Sequence, residues 1–99
     1  MNYSQEIVQK VWEKAKVARA HDPFLLRKDL LGAWILRNQF QNRESEYGWE
    51  IDWIKPLEEG GKMEISNLRP LQWENKAFRE GNRFNGMVTA LMANNLRVK

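Results

Sequence analysis

Ninety-nine residues, 42% of them apolar and five of them tryptophan, suit one domain (residues 1–99) whose modest core is closed by aromatic bulk. The lack of cysteine excludes disulfides and thiolate zinc sites, and nothing resembles a signal peptide or a membrane-spanning run, so a cytoplasmic protein with no membrane partner is expected. The formal net charge of +3 is uneven: residues 65–99 hold six bases against two acids, and the residues before them ten bases against eleven acids, a bias towards a polyanionic partner or simply a solvated basic surface.

In chain order, Ser4 reads as an N-cap with Gln5 and Glu6 in the first turn. Ile7, Val8, Val11, Trp12, Ala15 and Ala18 then recur at helical spacing, which predicts an amphipathic helix over residues 5–20, ended by Asp22-Pro23 and covering one face of a small sheet. That places His21, the single histidine, at a helix C-terminus, where it serves the helix dipole more often than catalysis. Phe24 to Phe40 is apolar and ambiguous. Leu25, Leu26, Leu30 and Leu31 suit a helical turn, whereas Gly32 breaks it and Trp34-Ile35-Leu36 favours a short strand. Gln39 to Tyr47 is a polar connection, and neither a linker nor a repeat marks a second domain.

Residues 47–81 hold the densest pattern. Trp49-Glu50-Ile51-Asp52-Trp53-Ile54 alternates as a strand, with Trp49, Ile51 and Trp53 on one face and Glu50 and Asp52 on the other. Pro56 stops it, and Gly60-Gly61 permits a tight reversal past Glu58 and Glu59. A second short run, Ile65 to Leu71, leads into a helix-like WENKAFRE closed by Gly81. The predicted class is therefore α+β, built on a ββα unit with the N-terminal helix over it. Trp73 and Ala77 should face the sheet, while Lys76, Arg79 and Arg83 share a basic face suited to a phosphate backbone. Asp52 at the end of the first strand and Asn75 in the first helical turn supply oxygen ligands of the kind a hard divalent cation takes. Phe84 to Leu96 has a helix-like apolar pattern and either packs back on the domain or mediates self-association.

The joint spacing of WEIDWI, Pro56, Gly60-Gly61, NLRPLQWEN and the following Lys76 resembles the core of the HNH nuclease family, the ββα-metal fold, and the resemblance extends over roughly residues 10–82. Arg27-Lys28-Asp29, Gly32-Ala33-Trp34-Ile35 and Tyr47-Gly48 resemble the flanks of bacterial and phage members. The resemblance implies metal-dependent hydrolysis of DNA phosphodiesters, with one Mg²⁺ or Mn²⁺ held by Asp52 and Asn75. It implies that Asn67 pins the loop between the strands through backbone hydrogen bonds. It also implies that Arg27, Lys28 and Asp29, which interrupt the apolar run with charge, flank the active face and touch the phosphate backbone; read without the resemblance, the three are simply solvent-exposed. Two positions depart from the family. Gln72 stands where many relatives carry Cys or His. Trp53 stands where the general-base His should follow the acid, and an indole N–H can only donate. The activity expected is therefore that of an impaired nuclease, with a non-catalytic nucleic-acid- or protein-binding module as the alternative. Trp53 itself reads either as part of the packed stripe or as a stacking platform for a base.

Overall fold

The computed structural model describes residues 2–81 and 87–98. Among them the chain is α+β, with helices α1 (Gln5–Trp12) and α2 (Trp73–Arg79) and three small antiparallel sheets. The first sheet joins β1 (Lys16–Val17), β2 (Leu26–Lys28) and β3 (Trp34–Leu36). The second pairs β4 (Trp49–Trp53) with β5 (Leu68–Gln72), and the third pairs β6 (Met87–Leu91) with β7 (Asn94–Val98). No helix among the described residues is long and apolar enough to cross a membrane.

The first helix begins as its sequence predicts, with the Ser4 hydroxyl accepting from the Ile7 amide. It stops at Trp12 rather than continuing to residue 20. The Lys14 and Ala15 amides close tight turns on the carbonyls of Val11 and Trp12, and the Arg27 guanidinium takes the carbonyls of Glu13 and Ala15. Lys16 and Val17 then pair with Lys28 and Arg27. Ala15 and Ala18 are buried, as the apolar pattern asks, but by an extended path. His21 consequently lies at no helix end; its ring meets Trp34 edge-on at 5.0 Å.

The ambiguous apolar run resolves into a β2–β3 hairpin. Its turn is organised by Asp29, whose Oδ1 accepts from the amides of Leu31 and Ala33, with Gly32 at φ +89° where an L-residue is strained. An eight-residue helix is too short to be stable alone, so α1 is held by docking. Val8, Val11 and Trp12 bury against Ile35, Trp49, Ile51 and Leu68. The rings of Trp12 and Phe40 lie 5.4 and 4.8 Å from that of Trp49. Full burial of each large apolar side chain stabilises the fold by about 1.5–3 kcal/mol. Trp53 packs at the border of this cluster, as the two-residue alternation predicts.

The C-terminal segment is a hairpin, not a helix; residues 84–86 of the predicted segment lie outside the described residues. Tertiary hydrogen bonds override the helical spacing there. The Ala90 amide donates to the Gly32 carbonyl, and the Asn95 side chain bonds both backbone groups of Trp34. Met92, at φ +56°, makes the turn.

Candidate functional site

The β4–β5 hairpin followed by α2 carries most of the residues singled out by the sequence. Asp52 and Arg69 face each other across the ladder. Beyond the strands, Asn67 closes the loop: its Oδ1 accepts from the Lys55 amide at 2.8 Å and its Nδ2 donates to the carbonyls of Lys55 and Lys62 at 3.0 and 2.9 Å. The two glycines do different jobs. Gly60 adopts φ +90°, whereas a Cβ on Gly61 would collide with the Lys55 carbonyl. Gln72 is an N-cap, its Oε1 accepting from the amides of Glu74 and Asn75, so its side chain opens α2. Gly81, at φ +103°, follows the helix in the left-handed conformation that ends helices.

Asp52 is buried, and each of its carboxylate oxygens is taken. Arg69 Nε donates to Oδ2 at 2.8 Å and an Arg79 guanidinium nitrogen to Oδ1 at 3.1 Å; Arg79 also donates to the Ile54 carbonyl. Next to it the half-buried Trp53 directs its indole N–H to the Tyr3 hydroxyl at 3.0 Å. A cleft of about 600 Å³ opens here, lined by Tyr3, Asp52, Trp53, Glu58, Lys76 and Arg79 among others. Lys76 is also paired, to Glu80 at 3.0 Å and to Glu50 at 3.8 Å. Arg83, the third base expected on this helix face, lies outside the described residues.

Asn75 is fully buried and turned to a different task. Its Nδ2 donates to Asp29 Oδ2 and to the Val88 carbonyl, each at 2.9 Å, and its Oδ1 accepts from the Val88 amide at 2.6 Å. Asp29, buried too, accepts from Leu31, Ala33, Gln72 and Asn75, so one carboxylate joins the β2–β3 turn to the β5–α2 junction. Burial pushes the Asp29 carboxyl above its usual 3.8, against the downward pull of those four hydrogen bonds.

Asp52 and Asn75 therefore share no partner. One is held between two guanidinium groups and the other between Asp29 and the β6 backbone. This donor set does not fit a hard dication as it stands: a cation approaching Asp52 meets two fixed positive charges, and the Asn75 oxygen is spent on an amide. No group of three or more His, Asp or Glu side chains among the described residues is placed to hold a metal ion.

No protein-family model, curated protein or solved structure matches the chain. Sequence reasoning did not single out Arg69, Tyr3 or the junction role of Asp29. For Arg69 a signal existed, since pairing WEIDW against LRPLQ in antiparallel register puts an arginine opposite the acid. Tyr3 and Asp29 lie 50 and 46 residues from the partners they meet, Trp53 and Asn75, and no local pattern reports such contacts.

Proposed function

We propose that this chain is an HNH-like ββα domain in which hydrolysis of DNA phosphodiesters is impaired and binding of the DNA backbone is what remains. Trp53, in the general-base position of that resemblance, is committed to Tyr3 and offers no acceptor for a proton from water. Loss of a general base alone lowers rate by about 10²–10⁴-fold. The single observation that carries the reading is the double arginine clamp on Asp52, which neutralises the one acid of the implied metal site. The same clamp favours the non-catalytic module over a slow enzyme. If Mg²⁺ or Mn²⁺ associates through Asp52 and Asn75 at all, it has to displace guanidinium groups, so binding is weak.

Plasmid nicking with Mg²⁺ or Mn²⁺ tests this proposal. Wild type is expected to show no turnover above an Asp52→Ala control. Trp53→His restores an imidazole beside Asp52 at a stability cost of about 1–3 kcal/mol, because His refills only part of the indole volume. With the clamp in place, that variant is expected to stay folded and inactive. Metal-dependent nicking by Trp53→His that disappears in Trp53→His/Asp52→Ala would show a catalytic site lacking only its base.

A further inference from the structure

The bases of the chain are not equivalent once folded. After residue 65, Arg69, Lys76, Arg79 and Arg97 are all described, and each is in an ion pair. Residues 14–28 hold five bases against one acid, Asp22. None of these five forms an ion pair among the described residues. Lys14 and Arg27 give their donors to backbone carbonyls. That leaves Lys16, Arg19 and Lys28.

Lys16 and Lys28 face each other directly across β1 and β2, and Lys28 faces Trp34 across β2 and β3, so the three lie in one cross-strand row. Opposed residues in such a pair hold their Cβ atoms about 4.5–5.5 Å apart, and like charges there destabilise the sheet. Lys28 Nζ sits 4.5 Å from the centre of the Trp34 ring, which fixes its direction, and Trp34 beneath it is buried. Lys16 and Arg19 are exposed. Val17 belongs to the opposite face of β1 by strand alternation. The row therefore offers charge without an exposed aromatic anchor. That is the reverse of a protein–protein interface core, which is depleted in Lys and enriched in aromatics.

We propose that this face, with Lys16 and Lys28 opposed across β1 and β2 and the exposed Arg19 just beyond β1, is where the protein grips the phosphate backbone of duplex DNA. The inference rests on the DNA-binding reading above and moves the contact from the α2 face to the N-terminal sheet. A chain of phosphates relieves the Lys16–Lys28 repulsion, and with Trp34, the aromatic of this row, buried beneath Lys28, the row contacts the backbone rather than the bases.

Fluorescence anisotropy with a labelled mixed-sequence duplex, across a salt series, tests it with two double variants that lower the net charge equally. Lys16→Gln/Lys28→Gln is expected to weaken binding about tenfold at 50 mM salt and to flatten the log–log salt slope by about 2, near 0.9 per lost phosphate contact. Lys10→Gln/Lys62→Gln removes two exposed charges elsewhere and should leave the slope as it was. Lys16→Gln alone touches no packed group and should flatten the slope by about 1, which keeps the test usable if loss of Lys28 from Trp34 harms folding. Equal losses in the two double variants, or an unchanged slope in Lys16→Gln, overturn the placement while wild-type binding keeps the DNA reading. Absence of wild-type binding at low salt overturns both.

Discussion

The β4–β5–α2 unit and the β1–β2–β3 sheet both carry basic residues, and they dispose of them in opposite ways. In the first, Arg69 and Arg79 are consumed by Asp52, and Lys76 by Glu50 and Glu80. In the second, two lysines are set opposite each other, and neither is in an ion pair among the described residues. Charge counted along a sequence measures supply; the charge presented to a partner is what remains after internal pairing. A surface ion pair is worth only about 0–1 kcal/mol to the fold, but its acid cancels most of the cationic field that a phosphate would feel.

The two regions are joined by Asp29, and the largest expected effect lies there. Asp29→Ala leaves the donors of Leu31, Ala33, Gln72 and Asn75 facing a void, so a loss of about 3–5 kcal/mol is expected in chemical denaturation, close to unfolding for a domain this small. A loss under 1 kcal/mol would mean that the sheet and the hairpin–helix unit hold together without this carboxylate.

The same group gives a pH dependence whose sign is fixed. Its folded carboxyl is raised above the ordinary 3.8 by burial, so over that window the folded state binds more protons than the unfolded one. Stability from this group therefore falls as pH rises from about 4 through the raised value, and is level above it. The stability difference between wild type and Asp29→Asn, followed by urea denaturation, should decline over that range. A difference that grows with pH would contradict the assignment.

An intermediate effect is expected at Asn67. Its Ala variant loses three hydrogen bonds in a partly exposed loop, about 1–2 kcal/mol, with faster hydrogen exchange at the Lys55 amide. Unchanged exchange at Lys55 would show that the glycine turn alone closes the loop. The smallest effect has the opposite sign. Lys16→Thr removes the like-charge neighbour of Lys28 and adds a β-branched residue, so it should stabilise by a few tenths of a kcal/mol at low salt, with the gain shrinking as salt is added. A destabilised Lys16→Thr would mean that the lysine pair is not repulsive in the folded sheet.

Much of this architecture is legible in the sequence. The alternation of WEIDW places Trp49 and Ile51 in the core and Asp52 on the other face, and Gly60 and Gly81 announce a turn and a helix end through their backbone freedom; Asn67, which the resemblance implies pins the loop, bonds the Lys55 and Lys62 backbone through its side chain. The misreadings share one cause. Helical spacing at residues 15–18 and 87–96 is a local pattern, and it was overruled by partners far along the chain: Arg27 taking helix-end carbonyls, and Gly32 and Trp34 pairing with the C-terminal hairpin. The site follows the same rule. Asp52 and Asn75 are the right residue types at the right spacing for an oxygen-ligand site, but what each side chain spends itself on depends on Arg69, Arg79, Asp29 and Val88.

On the proposed reading, DNA meets the unpaired bases of the N-terminal sheet while Asp52 stays paired to Arg69 and Arg79. Titration of a short mixed-sequence duplex into the isotopically labelled protein at low salt, followed by amide NMR, tests it most directly. Shifts are expected first at residues 16–19 and 27–28, with the amides of Asp52, Trp53, Arg69 and Arg79 unmoved. Shifts that begin at residues 52–55 and 76–79, with residues 16–28 unmoved, would contradict it.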